Sequence, residues 1–277
     1  MKLTYLGTGA AEGIPAAFCH CKTCEEVRRR GGREIRTRSQ VLIDESFCVD
    51  FPPDSYFHSV RNGVDLSAIS HLLVTHSHMD HFYAHDFILR GYKYAHAMTS
   101  PTLSIYGNGE VKAVFEECTR REMRKEVGGT ISCTVLKRYE RTKIGEYAVT
   151  PLPANHSKGE ECFVYLIEKG DKRLLYLNDT GRLSPEVYPH LQGKKVDLVS
   201  FDCTFVFESR GVNARHMGIG DNMAVKAELE RVDAVRKDTK YVVTHFSHNQ
   251  APLKENLDRL EREYGVICAY DGMTVEV

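Results

Sequence analysis

The segment VTHSHMDHF, Val74 to Phe82, places three imidazoles and one carboxylate within six residues. It follows directly on the apolar run HLLV (71–74), which reads as a strand. In extended backbone, residues two apart project to the same side, so His76 and His78 can address one ion. Asp80 and His81 follow where the chain turns, which opens a second, adjacent direction of ligation. Imidazole combined with carboxylate suits Zn²⁺, Mn²⁺ or Fe²⁺. The competing reading, a histidine-rich surface loop, calls for no particular order of donors.

A cluster of this kind needs partners further along the chain. Three later β-type runs close on a donor: PLPANHS on His156, LLYLNDTG on Asp179, and KYVVTH on His245. Loops gathered on one rim of a sheet are where sites are built.

Strand-like runs at 2–6, 39–44, 47–51 and 70–75 fill the first part of the chain, separated by turn signals such as GTGA and FPPDS. More follow at 103–107, 131–136, 147–153, 162–168, 173–179, 197–202 and 240–245. Helical periodicity is clearest at 111–121, 220–237 and 252–264; in the last, Leu253, Leu257 and Leu260 share one face. No fixed-period repeat or low-complexity linker interrupts the chain. Each half is a series of strands followed by helix, so the expected architecture is two mixed sheets packed face to face with helices outside, in one domain over 1–277.

Composition narrows the function. The 277 residues are 42% hydrophobic, and 37 basic against 38 acidic residues give a net charge of −1. That balance provides no global attraction to nucleic acid or anionic lipid, although VRRRGGREIRTRS (27–39) is a local basic run. No apolar run approaches the roughly 20 residues of a membrane span. The opening MKLTYLGTG reads as a strand entering a glycine turn and not as a signal peptide, so a soluble, cytoplasmic protein with no membrane partner is expected.

Nine cysteines in such a chain point to metal or redox work where clustered and to core packing where scattered. Cys19, Cys21 and Cys24 cluster in FCHCKTCEE. A tetrahedral structural zinc needs a fourth donor. His20 lies between two of the cysteines, an awkward direction. His248 in THFSHN, three residues after His245, is the better fourth ligand.

The series His76, His78, Asp80, His81, His156, Asp179 and His245 resembles the signature of the metallo-β-lactamase superfamily. The resemblance implies an α/β fold, an αββα sandwich, with a dinuclear centre on one edge. It assigns His76, His78 and His156 to one divalent ion (Mn or Zn, with Fe a third choice), Asp80, His81 and His245 to a second, and Asp179 to a bridge. Asp50 and Asp202 resemble the carboxylates that orient ligand imidazoles. Together with Cys19, Cys21, Cys24 and His248, the pattern looks like the phosphoribosyl cyclic phosphodiesterases of the carbon–phosphorus lyase pathway of phosphonate metabolism. That resemblance implies hydrolysis of a small cyclic phosphodiester, such as 5-phosphoribosyl 1,2-cyclic phosphate, by a hydroxide shared between two cations. Asp80 and His216 in RHMGIGDN would belong to the catalytic machinery, His216 as general acid.

Three competitors stand beside this reading. A tRNA 3′-processing endonuclease shares the ligand series, and RRR and RREMRK favour it while the near-neutral charge does not, so nucleic acid is the less expected partner. A glyoxalase-type thioester or lactone hydrolase has no use for the cysteine cluster. A non-catalytic metal-binding module would keep the scaffold alone. A homodimer is compatible with all of them.

Overall fold

The structure is a computed structural model that describes residues 1–277. In chain order the elements are β1 (Lys2–Gly7), α1 (Lys22–Arg30), β2 (Gln40–Ile43), β3 (Phe47–Val49), α2 (Ser55–Asn62), β4 (His71–Leu73), β5 (Leu103–Gly107), α3 (Gly109–Thr119), α4 (Lys125–Gly128) and β6 (Ile131–Val135). The second half contains β7 (Thr142–Ile144), β8 (Tyr147–Pro153), β9 (Phe163–Lys169), β10 (Lys172–Leu177), α5 (Tyr188–Leu191), β11 (Val196–Asp202), α6 (Ile219–Arg231), β12 (Val235–Thr244), α7 (Lys254–Tyr264), β13 (Ile267–Cys268) and β14 (Met273–Glu276).

Two seven-stranded sheets result, ordered β14-β1-β2-β3-β4-β5-β6 and β13-β12-β11-β10-β9-β8-β7. Each is mixed in the same way. Antiparallel pairs join β14 to β1, β2 and β3, and parallel pairs join β3 to β4, β5 and β6. In the second sheet β7 through β10 are antiparallel and β10 through β13 parallel. The αββα sandwich expected from the sequence is therefore present.

The sheets meet in one apolar layer. Tyr5, Val41, Phe47 and Leu73 of the first pack with Val149, Tyr165, Tyr176 and Leu198 of the second, all buried. The Tyr5 hydroxyl donates across the layer to Ser200 Oγ at 2.9 Å. A second cluster lies under the helices of the C-terminal half, where Leu257 and Leu260 of α7 are buried with Leu253 packed beside them. The single face read from their spacing is thus the face that packs.

Most strands lie within two residues of their expected places. The helix expected at 220–237 stops at Arg231, because Asp233 turns left-handed (φ 57°) and Val235 pairs with Val196 as the start of β12. Its charged opening, VRKDTK, hides that strand. Helices α1 and α2 and strands β13 and β14 carry no pattern strong enough to have been expected. The first part of the basic run 27–39 is accounted for by structure. Arg29 and Arg30 pair with Glu26, Arg28 with Glu25, and Arg30 also with Glu34 and Glu255. No helix is long and apolar enough to cross a membrane.

Candidate metal centre

The candidate ligands all leave the same ends of their strands. His76 and His78 follow β4, His156 follows β8, Asp179 follows β10, and His245 is the first residue past β12. Asp50 is the first residue past β3, and Asp202 ends β11. The loop after β4 is closed by a turn over His78, whose carbonyl accepts the amides of His81 (2.9 Å) and Phe82 (2.8 Å). This turn brings Asp80 and His81 back beside His76.

Three residues here adopt left-handed backbone: Asp50 (φ 63°), Asp179 (φ 53°) and His245 (φ 62°). Non-glycine residues rarely do so, and the strain concentrates where side chains must be aimed. Each sharp bend converts a strand end into a donor facing its neighbours across the rim.

The donors form two groups that share one carboxylate. His76 Nε2 lies 3.0 Å from His78 Nδ1, which is 3.2 Å from His156 Nε2. His81 Nε2 lies 3.3 Å from Asp80 Oδ2 and 3.2 Å from Asp179 Oδ2. Asp179 also reaches His76 (3.6 Å), His156 (3.4 Å) and His245 (3.7 Å). All of these residues except His78 are largely or wholly buried.

The chemistry of the set fits divalent cations. His81 Nε2, His245 Nε2 and His156 Nδ1 are buried without a hydrogen-bond partner, and leaving several such atoms unsatisfied together is costly. With ligand bonds of about 2.0–2.2 Å, neighbouring donors around one tetrahedral ion lie roughly 3.3 Å apart. That is the spacing found in both groups.

The buried groups shift one another. Burial and the neighbouring imidazoles hold His76 well below the ordinary histidine range. Burial disfavours charge on His81 too, but Asp80, Asp50 and Asp179 reverse it and push His81 well above. Burial also opposes charge on Asp179, yet His245 and His216 hold it well below the carboxylate range. A bound cation would take over the role the imidazolium charges play here.

Other residues hold the candidate ligands by their second nitrogens. Asp50 Oδ2 accepts from His81 Nδ1 at 2.8 Å, and Asp50 Oδ1 accepts from the Thr75 amide and hydroxyl at 2.8 and 3.0 Å. The Thr75 hydroxyl lies 3.0 Å from His76 Nδ1, and the Thr204 hydroxyl 2.8 Å from His245 Nδ1. Asp202 is nearer to His216 Nδ1 (3.0 Å) than to His245 Nδ1 (3.5 Å). Glu160 accepts from the Ser77 amide (2.7 Å), the Ser77 hydroxyl (2.8 Å) and Asn108 Nδ2 (2.7 Å), which anchors the residue between His76 and His78. Thr75, Thr204 and Glu160 were not among the expected site residues.

His216 comes from the loop between β11 and α6 and stands over His245, ring centroids 5.5 Å apart and nearly parallel at 13°. Its Nδ1 sits between Asp179 Oδ1 (2.8 Å) and Asp202 Oδ2 (3.0 Å). Burial works against its charge, but the two carboxylates win and raise its pKa to about 11.

The chain belongs to the β-lactamase superfamily. The profile of the β-lactamase superfamily domain matches residues 39–246, a span that holds every rim donor just described. This superfamily member superposes on a diphosphatase of the PhnP family with TM-score 0.73 and 20% identity, over 100% of this chain and 96% of the other. It superposes on zinc-bound PqqB of Methylobacterium extorquens with TM-score 0.76 and 17% identity, over 100% of both chains. At those identities the likeness is one of fold. A stretch of 85 residues is 32% identical to the octanoyltransferase of Porphyromonas gingivalis, 29% of this chain but only 16% of that protein's length.

The cysteine cluster forms a second candidate centre. His248 Nδ1 lies 3.7 Å from Cys19 Sγ, 3.4 Å from Cys21 Sγ and 3.4 Å from Cys24 Sγ. Those are roughly the sulfur-to-nitrogen edges of a tetrahedron with zinc–sulfur bonds near 2.3 Å. His20 turns away and pairs with Glu25 at 2.8 Å. The apolar cavity of about 610 Å³ beneath the first sheet, lined by Phe51, Leu66, Ile69, Phe87 and Leu103, includes none of the candidate ligands.

Proposed function

We propose that this chain is a metal-dependent phosphodiesterase acting on a small cyclic phosphodiester, such as 5-phosphoribosyl 1,2-cyclic phosphate. The observation that carries the reading is the convergence of His76, His78, His156, Asp80, His81 and His245 on Asp179, with His216 held at its outer side by two carboxylates. In this reading the first three histidines would hold one divalent ion, Asp80, His81 and His245 would hold another, and Asp179 would serve both. Two such ions would supply an acidified water and charge stabilisation for the phosphoryl oxygens.

The protein's own residues do the rest. Asp50 fixes the ring of His81, Thr75 that of His76 and Thr204 that of His245, so the donors are aimed before any substrate arrives. Asp202 keeps a proton on Nδ1 of His216, and Nε2 is then the atom that can pass its proton to the leaving sugar oxygen. Exposed His78 marks the open side of the rim, where substrate enters. The arginines of 27–30 are engaged by glutamates, which supports a small-molecule substrate over RNA. The layer shared by both sheets supports reading 1–277 as one domain, and Cys19, Cys21, Cys24 and His248 are read as the ligands of a structural zinc.

The test is His216→Ala. Turnover of a cyclic phosphodiester should fall by roughly 10²–10⁴-fold, with the metal content of the purified protein unchanged. Loss of metal together with activity would make His216 a ligand and remove the general acid from this account.

A further inference from the structure

A cavity of about 500 Å³ lies between the 30–36 segment, α7 and the 267–273 segment, and none of the candidate metal ligands lines it. Two guanidiniums on its wall, Arg33 and Arg36, lack a carboxylate partner. Arg36 is only 4% exposed. Its Nη1 donates to Thr8 Oγ1 (2.9 Å) and the Ala269 carbonyl (2.6 Å), while its Nε is buried with no partner. The Phe246 ring lies 4.7 Å from the guanidinium carbon. Burial pulls this guanidinium below its ordinary range, and Asp271 is the largest opposing influence.

Asp271 does not neutralise it. That carboxylate accepts from Thr8, from the amide and hydroxyl of Thr37, and faces Arg61 at 3.7 Å. Arg33 lies 4.0 Å over the Tyr270 ring. The other cations of the wall are satisfied: Arg30 by Glu34 and Glu255, Lys254 by Asp258. Of the acids, Glu261 is occupied by the Cys268 amide at 2.8 Å.

A buried guanidinium without a counter-charge is costly. Its planar fork suits a phosphate or carboxylate. Two unpaired guanidiniums match the near-double charge of a phosphomonoester at neutral pH. The Tyr270, Leu257, Ile267 and Met273 side of the cavity is apolar and would receive the organic part of the ester. The volume lies within the range of about 300–1,000 Å³ usual for small-molecule sites.

We propose that this cavity is a binding site for a small phosphomonoester, gripped by Arg36 and Arg33 and separate from the metal centre. The experiment titrates inorganic phosphate and phenyl phosphate into the metal-loaded protein by calorimetry, in wild type, Arg33→Ala and Asp179→Asn. Binding should persist in Asp179→Asn, weaken by about tenfold or more in Arg33→Ala, and be tighter for phenyl phosphate than for phosphate. Arg33 is an exposed side chain whose contact is with the face of the Tyr270 ring, so that variant is expected to fold. Binding lost in Asp179→Asn but unchanged in Arg33→Ala would assign the anion to the metals and overturn the proposal. Absence of any binding in the wild type, or equal affinity for the two ligands, would overturn it as well.

Discussion

Asp179 shows most directly how single residues are set in this site. It is buried, left-handed in backbone and within 3.7 Å of five imidazoles. Its type and its place at the end of a β-type run were legible in the sequence, as were those of His156 and His245. The hydroxyls that orient the rings were not. VTH occurs twice, at 74–76 and 243–245, yet only Thr75 bonds its neighbouring imidazole; in the second copy that part falls to Thr204. A threonine acquires this role through tertiary proximity, and nothing local signals it. Glu160 is the same kind of case. Replacing it by Gln would put an N–H group against the amide or hydroxyl of Ser77, and charge-assisted bonds of this type contribute about 1.5–3 kcal/mol. Glu160→Gln should therefore lower kcat/KM by roughly tenfold or more and weaken metal binding by the His76, His78 and His156 group. Unchanged metal titration and kinetics would show that Ser77 is held by other means.

His58 carries the pH prediction at this scale. It is fully buried in α2, 2.6 Å from both Gln40 Oε1 and Thr37 Oγ1, and burial lowers its pKa to about 4. Above pH 6.5 the ring is neutral in both the folded and the unfolded chain. Between 6.5 and 4 the unfolded chain binds a proton that the folded one refuses, so stability falls as the pH drops through that window. At about 1.4 kcal/mol per pKa unit, the loss amounts to roughly 3 kcal/mol. Urea unfolding at pH 7 and pH 4.5 should show a smaller difference in His58→Gln than in wild type, and the comparison cancels acid release of metal, which both proteins share.

At the scale of elements, strands were easier to read than helices. Strands such as β8 to β10 are short apolar runs between turn residues, whereas the first half of β12 is mostly charged and α1 is marked by cysteines and arginines. In α1 those residues serve two ends. Its glutamates and arginines pair along the exposed face, and Cys24 turns inward, buried beside His248. A zinc at Cys19, Cys21, Cys24 and His248 would join segments 224 residues apart. By the entropy of closing a loop of more than 100 residues, such a cross-link contributes up to about 5 kcal/mol. Cys24→Ser should lose one zinc per chain and unfold at lower temperature, with the rim metals retained if the two centres are independent. A variant that keeps its full zinc content would show that Cys24 is not a ligand.

For the whole molecule, the two sheets repeat one plan, three antiparallel pairs followed by three parallel ones, and the site lies where the strand ends of both meet. The similarity of the halves was visible in the sequence, but their pairing order was not, because register depends on contacts between distant segments. Tyr5 and Ser200 tie the layers together. Tyr5→Ala would leave a cavity between them and should cost about 3–5 kcal/mol. Both sheets should then unfold in one shifted transition, followed by circular dichroism and fluorescence together; two separated transitions would divide the chain into independently folding units.

The left-handed bends at Asp50, Asp179 and His245 bear on how relatives of this chain can be sorted. Glycine would take up those backbone angles with less strain, so only the side chains' work justifies an aspartate or histidine there. A homologue with glycine at these corners would have a more relaxed rim but neither the shared carboxylate of Asp179 nor the imidazole of His245. Such a protein would be a pseudoenzyme, recognisable from three codons.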